Sequence, residues 1–316
     1  MKPLTLPEGY SMDAMTREEA EVLLRWAAAE GWNPGLADLE VAWGFDPQGF
    51  IALRYTVSGK APELVGGGAI LSYGGQCGFM GLFIMRVDYR GQGLGRVLWH
   101  ERLRRLQARL EPGAYIGMDG VLNMAPFYAA GGFIHHYHDF RFQGAANAAA
   151  LAVPGGVTTV PLASVPFAAV DAYDREVFGR SRTGFLRRWL TINGGYGVAV
   201  RGDGATSPAD NDPAMPGGER SSLRGYAFLR PCLKGHKFGP VFADDSATAR
   251  ALLRDLLERV PGETVTLDVP EPNAEAMAIA QELGWERAFV CTKMFHGAAP
   301  PDTTARVFGV TSFEFG

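Results

Sequence analysis

A hexapeptide rich in glycine stands between an apolar run and an amphipathic run, and it constrains the fold more than any other feature of the chain. Its residues are Arg90, Gly91, Gln92, Gly93, Leu94 and Gly95. Residues 80–85 before it are apolar and bounded by glycine, which predicts a buried strand. The run after it has leucines at near-helical spacing with charged residues between them, which predicts a helix. The sequence therefore predicts a strand, a glycine-rich turn and a helix in direct succession.

This turn is a candidate anion site. Backbone N–H groups at the start of a helix have no partner inside the helix, and together with the helix dipole they bind phosphate. Gly93 and Gly95 lack a Cβ atom, so a phosphate can approach the backbone closely. The order R-x-x-G-x-G differs from the dinucleotide fingerprint G-x-G-x-x-G, and the loop lacks the lysine of a P-loop. For the hexapeptide alone, a tight turn without a ligand is the alternative.

A second motif follows the helix. After an apolar stretch that ends at Asp119 comes the run Asn-Met-Ala-Pro-Phe-Tyr-Ala-Ala-Gly-Gly-Phe at residues 123–133. In this order the two motifs resemble the GNAT family of N-acetyltransferases, which carries R/Q-x-x-G-x-G/A before a helix and then a short helix ending Tyr-x-x-x-Gly-Phe. Tyr128 has the family spacing to Gly132. The family asparagine lies seven residues before that tyrosine, whereas Asn123 lies five before Tyr128.

The resemblance implies acetyl-CoA as cosubstrate and no metal. The pyrophosphate would lie on the N–H groups of the glycine-rich turn, and the pantetheine arm would pair with the preceding strand like an extra strand. A backbone N–H near Met85 would polarise the thioester carbonyl. The residues implied to bind acetyl-CoA are Phe83, Ile84, Met85, Arg90, Gly91, Gln92, Gly93, Leu94, Gly95, Arg96 and Tyr128.

The resemblance also implies direct attack by a neutral amine, with Tyr128 as the general acid that protonates the leaving thiolate. Packing of the Tyr128 ring on the sheet is the structural alternative. Asp119 is the first candidate for the base that deprotonates the amine, and a turn or N-cap residue is the alternative for it. A water chain could replace the base altogether.

Composition bounds the class of protein. A length of 316 residues suggests two domains, and a net charge of −4 without a basic block argues against nucleic-acid and anionic-membrane partners. The N-terminus lacks an apolar signal-peptide core, which favours a cytoplasmic protein. Three widely spaced cysteines predict free thiols. His135, His136 and His138 lie close together but lack a further ligand, so surface or core roles are favoured over metal binding.

The second half of the chain repeats the first at a period of about 150 residues. Asp119 is echoed by Asp268, and Gly132-Phe133 by Gly284-Trp285. The second copy has aspartates at 244 and 245 where the phosphate loop should stand, and Ala280 in place of the tyrosine. Tandem GNAT proteins with one intact and one degenerate domain form a known subgroup that this chain resembles.

We therefore expect an α/β (α+β) fold of two tandem GNAT-like domains, each with a mixed, mostly antiparallel sheet flanked by helices. The expected boundaries are a catalytic domain at 1–145, a linker at 146–156 and a degenerate domain at 157–316 with a flexible insertion at 201–222. A capping box at Thr16 predicts the first helix, and residues 42–55 and 63–73 are predicted as antiparallel strands. Residues 168–190 are predicted as a helix interrupted at Gly179.

The two motifs and the family resemblance lead to an expected function. The leading hypothesis is acyl transfer from acetyl-CoA to a primary amine on a small molecule. The alternatives are a protein lysine acetyltransferase and a CoA-binding regulatory protein without turnover. Acidic residues on the predicted helix at 168–190 suit a cationic acceptor, although a solvated helix face is favoured for them. Those residues, with their basic and aromatic neighbours, are Asp171, Tyr173, Asp174, Glu176 and Arg182.

Overall fold

A computed structural model describes residues 5–202 and 223–316, so the insertion predicted at 201–222 lies almost entirely outside the described residues. The helices are α1 Arg17–Ala29, α2 Asp38–Phe45, α3 Leu94–Gln107, α4 Ala125–Ala130, α5 Phe167–Phe178, α6 Thr183–Trp189, α7 Ser246–Leu257 and α8 Ala274–Glu282. The strands are β1 Tyr10–Ala14, β2 Phe50–Tyr55, β3 Glu63–Tyr73, β4 Cys77–Met85, β5 Tyr115–Val121, β6 Ile134–Ala145, β7 Val160–Pro161, β8 Tyr196–Arg201, β9 Leu223–Pro231, β10 His236–Ala243, β11 Thr264–Pro270, β12 Glu286–His296 and β13 Val307–Gly309.

Local sequence explains where several of these elements begin and end. The Thr16 hydroxyl accepts a hydrogen bond from the Glu19 N–H, and the Glu19 carboxylate accepts one from the Thr16 N–H, so the predicted capping box starts α1. The helix predicted at 168–190 forms α5 and α6, because Gly179 adopts a left-handed conformation (φ 84°) and ends α5. The strands predicted at 63–73 and 80–85 correspond to β3 and part of β4.

The strand prediction for residues 42–55 was wrong in its first part. Residues 38–45 form helix α2, and only residues 50–55 form the strand β2. The sequence of α2 is Asp-Leu-Glu-Val-Ala-Trp-Gly-Phe. It begins with alternating acidic and apolar residues and is too short for its periodicity to separate a helix from a strand. Leu39, Val41 and Ala42 are buried on it, so tertiary packing supports the helix.

One continuous mixed sheet holds the described strands together. Its order is β1-β2-β3-β4-β5-β12-β6-β11-β10-β9-β8-β7, and β13 pairs with β10 beside this path. Most neighbours are antiparallel, while β4–β5 and β10–β11 are parallel. Helices flank this sheet, as expected from the sequence. No helix in the described part of the chain is long and apolar enough to cross a membrane.

The two halves exchange strands at the middle of the sheet. β12 comes from the second half and pairs with β5 of the first, whereas β6 comes from the first half and pairs with β11 of the second. β6 and β12 lie side by side between them. The division at residues 145 and 157 stays a prediction, but residues 1–145 lack the strand that separates β5 from β6. In the expected linker, Leu151 is fully buried in the core of the second half.

Candidate active site

The two parallel strands of the first half diverge beyond a short paired region. β4 pairs with β5 only through Cys77, Gly78 and Phe79, so its edge from residue 80 onward has no strand partner on that side among the described residues. A bulge opposite β3 falls where Leu82 has a left-handed backbone (φ 52°). The open edge and the bulge leave a V-shaped cleft between β4 and β5.

Arg102 of α3 contacts this bulge from the face of the sheet that α3 covers. Its Nη2 atom donates to the carbonyls of Ala69 and Gly81, each at 2.6 Å, which ties β3 and β4 together where their register shifts. The arginine is fully buried, and a Cβ atom at Gly68 would lie 2.3 Å from its guanidinium carbon. Gly68 is therefore required for Arg102 to reach the bulge.

The glycine-rich turn leads from β4 into α3 as the sequence predicts. Gly93 is the N-cap residue of α3 with φ 79°, and Gly91 has φ 75°. A Cβ atom at either glycine would meet no atom within 4 Å, so the backbone faces open space. No described group accepts a hydrogen bond from the N–H groups of residues 91–95. This N-terminus of α3 has the free donors and the space that an anion requires.

The two arginines at this turn have different surroundings. Arg90 donates from Nε to the carbonyl of Met85 at 2.9 Å and pairs with Glu30 at 2.5 Å, so it fixes the turn against the end of β4. Arg96 has no ion pair with any described residue. Gln92 donates to the Asp88 carbonyl at 2.9 Å, which also holds the turn. Arg96 is therefore the better candidate for direct charge on a bound phosphate.

Side chains on the open edge of β4 point into the core, so only their backbone is available to a ligand. Ile84 and Met85 are buried, and Leu94 at the start of α3 is buried beneath them. Phe83 stacks parallel to Phe127 with ring centroids 6.2 Å apart. Backbone pairing with an extended arm is the interaction that this edge can offer.

Tyr128 reaches a cavity at the cleft from the α3 side of the sheet. Its ring packs against Trp99 with centroids 4.9 Å apart, and Gly120 is required because a Cβ there would lie 2.5 Å from the ring. Its hydroxyl makes no hydrogen bond with a described residue. Burial raises the pKa of Tyr128, and Arg102 opposes the shift only in part. The phenol is therefore protonated at neutral pH and free to donate.

The cavity has a volume of about 50 Å³ and lies at the cleft between β4 and β5. It brings together Tyr128 and Asp119, as expected, with residues from distant parts of the chain. Its lining comprises Trp32, Met80, Gly81, Leu82, Phe83, Trp99, Met118, Asp119, Val121, Tyr128, Arg141, Phe289, Cys291, Phe313 and Glu314.

Asp119 lies in the cavity wall but is ion-paired. Its Oδ2 atom is 2.8 Å from Nζ of Lys293 on β12, and Asp139 Oδ2 lies 3.9 Å from the same nitrogen. Burial raises the pKa of Asp119 and Lys293 counteracts it, while burial and Asp119 raise the pKa of Asp139 well above its usual value. Two fully buried carboxyl groups thus share one ammonium.

The corresponding cleft of the second half is closed by the chain itself. β10 pairs with β11 only at His236 and Lys237, and β13 then pairs with the diverging part of β10. At the start of α7, the Asp245 carboxylate accepts a hydrogen bond from the Thr248 N–H at 2.8 Å. A bound anion would compete with this carboxylate for the helix N-terminus. Of the two equivalent clefts among the described residues, the one in the first half is open and has an uncapped helix N-terminus beside it.

The acidic residues predicted on residues 168–190 do not reach the cavity. Asp174 and Arg182 form a buried pair at 2.7 Å, and the Tyr173 hydroxyl donates to the Asp244 carboxylate at 2.9 Å. Asp171 pairs with Arg175 on the same helix, and Glu176 pairs with Arg306. Instead of a solvated helix face, Tyr173, Asp174 and Arg182 form part of the core.

The histidines and cysteines offer no metal site in the described ranges, since no cluster of three or more His, Cys, Asp or Glu side chains is placed to hold an ion. His138 pairs with Glu271, and His135 contacts the Thr292 hydroxyl at 2.6 Å. Cys77, Cys232 and Cys291 are buried free thiols.

Several cavity residues were not predicted from the sequence. Trp32 lies between α1 and α2, Arg141 on β6, and Phe313 and Glu314 near the end of the chain. None belongs to a local motif. The only sequence signal for Glu314 is a carboxylate between two phenylalanines, which is an unusual place for a charge.

Comparisons with known proteins agree with this architecture. The family model "Acetyltransferase (GNAT) domain" matches residues 212–309. Over 301 residues the chain is 26% identical to the holothin acyltransferase of Pseudoalteromonas sp. (strain SANK 73390), covering 95% of this chain and 92% of that protein.

Solved structures show the same tandem fold. A putative acetyltransferase from Pyrococcus horikoshii superposes with a TM-score of 0.75 at 16% identity, over 100% of this chain and 99% of that one. A tandem GNAT protein from the clavulanic acid biosynthesis pathway has a TM-score of 0.60 at 17% identity, over 93% and 100% of the two chains. With a match to a GNAT acetyltransferase domain at residues 212–309 and similarity to an acyltransferase over most of its length, the chain is an acyltransferase, and its fold is similar to that of tandem GNAT proteins.

Proposed function

We propose that the chain transfers an acyl group from acetyl-CoA, or a related acyl-CoA, to a primary amine on a small molecule. The observation that carries this proposal is the free N-terminus of α3 beside the open edge of β4. Phosphate would bind the N–H groups of residues 91–95, and the extended arm would follow the β4 edge into the cavity at Tyr128. These features suit the pyrophosphate and the extended arm of such a cosubstrate.

In the proposed reaction, the amine nitrogen attacks the thioester carbonyl carbon, and the carbon–sulfur bond breaks. The thiolate then takes a proton from the Tyr128 hydroxyl. The amine must lose a proton to a base, for which Asp119 was the first candidate. The cleft backbone near Met85 would stabilise the oxyanion if an N–H there points at the carbonyl oxygen.

A small acceptor is favoured over a protein lysine by the shape of the site. Trp32, Phe289 and Phe313 contribute aromatic rings to the lining of the cavity of about 50 Å³, whose size suits a small acceptor better than a peptide. One similar protein is named for a compound, holothin, and another belongs to the clavulanic acid biosynthesis pathway; neither is named for a protein target. A regulatory protein without turnover would have no use for the unpaired hydroxyl of Tyr128.

The experiment that separates these functions is the release of free thiol from acetyl-CoA across a panel of small amines and lysine peptides. We expect turnover with at least one small amine. Turnover only with peptides would favour a protein acetyltransferase, and tight CoA binding without any turnover would favour the regulatory role.

We expect one CoA site per chain, and Gly93→Glu should weaken CoA binding by about 10²-fold because a carboxylate would occupy the phosphate position. Isothermal calorimetry measures both quantities. Gly113→Glu is a matched control, since Gly113 also has a positive φ (85°) and open space around it but lies at a turn far from the cleft. Two equivalent sites, or equal affinities for both variants, would contradict the prediction.

A further inference from the structure

The last residues of the described chain form a buried segment across the face of the sheet opposite α3. The Val310 N–H donates to the Asp268 carbonyl at 2.9 Å, and the Gly316 carbonyl accepts from Arg182 at 3.0 Å. The Tyr73 hydroxyl donates to the Phe315 carbonyl. Residues 310–316 are buried throughout. The segment is therefore anchored to both halves and holds a fixed position.

Glu314 lies where this segment crosses the open part of β4. A Cβ atom at Gly81 would lie 1.9 Å from the Glu314 carbonyl oxygen, so the segment packs directly on the glycine. Glu314 is 3% exposed and lines the cavity that also contains Tyr128. Tyr128 packs on the α3 side of the sheet, so the two residues line the cavity from opposite faces.

The Glu314 carboxylate differs from the other buried carboxylates near it. It accepts one hydrogen bond, from the Ser312 hydroxyl at 2.5 Å, and no described cation lies within ion-pair distance of it, although its charge acts at longer range on Arg141, Arg230 and Lys237. By contrast, Asp268 pairs with Arg141, and Asp119 with Lys293. The cations at longer range offset part of the free-energy cost of burying the Glu314 carboxylate, and a cationic ligand in direct contact with it would offset more.

Asp119 is less suited to accept a proton. Its carboxylate is held by Lys293, with Asp139 beyond the ammonium. Protonation of Asp119 would weaken that ion pair and leave a buried ammonium without its closest partner. Glu314 has no such pair to lose.

We propose that Glu314 is the general base of the reaction and that the acceptor is an alkylamine, which enters the cavity as an ammonium ion. This inference rests on the acyl transfer proposed above. The N–H bond of the ammonium breaks, and its proton passes to the Glu314 carboxylate. The freed lone pair attacks the thioester carbon, the carbon–sulfur bond breaks, and the sulfur takes the Tyr128 proton. The nitrogen, now bonded to the acyl carbon, loses its second proton to the Tyr128 phenolate, which gives the neutral amide. Glu314 then releases its proton to water, and both groups are restored.

Glu314→Gln tests the assignment, because the amide keeps the size of the side chain and can still accept the Ser312 hydrogen bond. With acetyl-CoA and ethylamine as the acceptor probe, we expect kcat/KM to fall by about 10²-fold. With 2,2,2-trifluoroethylamine, which is of similar size and already neutral at pH 7, the fall should be at most about tenfold. CoA affinity should match that of the wild type.

Ser312→Ala provides a second variant that leaves the carboxylate in place, and we expect it to lose less than about tenfold in kcat/KM with ethylamine. Equal losses for both amines in Glu314→Gln would indicate a structural role and overturn the proposal. So would ethylamine activity within about threefold of wild type. If the wild type consumes no acetyl-CoA with any amine, the proposed function itself fails. An active wild type with an unaffected Glu314→Gln variant rejects only the assignment of the base.

Discussion

Tyr128→Phe is expected to lower kcat by about 10² to 10⁴-fold while CoA affinity stays nearly unchanged. The phenyl ring keeps its contact with Trp99 and its fit against Gly120. Only the hydroxyl is lost, and it makes no hydrogen bond with a described residue, so folding should not depend on it. Steady-state kinetics with acetyl-CoA and the best amine of the panel measures the effect, and calorimetry measures the affinity.

Tyr196→Phe is the matched control, because Tyr196 lies on β8 in the second half and its hydroxyl also has no hydrogen-bond partner among the described residues. Its kcat should equal that of the wild type.

Burial raises the pKa of Tyr128 above its usual value of about 10, so the phenol stays protonated below that pH. The pH profile of kcat should therefore show no loss of activity on the alkaline side that comes from Tyr128. Unchanged turnover in Tyr128→Phe would mean that another group, such as water, protonates the thiolate.

Local motifs predicted the part of the site that is local in sequence. The strand, the glycine turn and helix α3 follow one another without a gap, so spacing alone locates the free N–H groups at the start of α3. The same holds for the short helix that carries Tyr128. The sequence also predicted that the second half lacks a phosphate loop, from Asp244 and Asp245, and lacks the tyrosine, from Ala280, but it did not predict that the strand β13 fills the second cleft.

Strand exchange could not be predicted, because β6 and β12 are copies of one another. Each follows a short helix and a glycine, and each carries the same kind of pattern, so the sequence does not specify which copy pairs with β5. The helix α2 and the cavity residues Trp32 and Glu314 were missed for a related reason. Their positions depend on contacts between segments far apart in the chain.

The exchange also explains why an aspartate recurs at 119 and 268. Asp119 of the first half pairs with Lys293 of the second, and Asp268 of the second half pairs with Arg141 of the first. The two pairs occupy equivalent places in the repeats, and each joins one half to the other. A structural role therefore accounts for Asp119 without catalysis, which agrees with the argument that favours Glu314 as the base.

The second half also holds the loop that carries Trp32. Asn33 exchanges two hydrogen bonds with Lys234, at 3.0 and 2.9 Å, and the Leu36 N–H donates to the Pro231 carbonyl. Next to this contact, Asp38 of α2 accepts from Arg230 of β9 at 2.8 and 3.2 Å. The loss of this pair should loosen both the interface and one wall of the cavity.

Asp38→Asn is expected to lower the free energy of unfolding by about 3–5 kcal/mol, because it leaves Arg230 buried without a counter-ion. Both side chains are 1% exposed, and Asp38 also accepts from the Gly35 N–H at 2.9 Å. Chemical denaturation followed by fluorescence measures the change. Glu40→Gln is the matched control in the same helix, because Glu40 pairs with Arg17 at 3.0 Å but its side chain is 76% exposed.

The control should change the free energy of unfolding by less than about 0.5 kcal/mol. The effect of Asp38→Asn should also depend on pH. Burial tends to raise the pKa of Asp38, but Arg230 outweighs it and the pKa lies below its usual value. A lowered pKa stabilises the fold above the unfolded-state value of about 4, and this contribution is lost as the pH falls through the lower folded-state value. The difference between wild type and Asp38→Asn should therefore be constant from about pH 5 to 8 and shrink in acid. Equal effects for the two variants at pH 7 would mean that the Asp38–Arg230 pair does not hold the halves together.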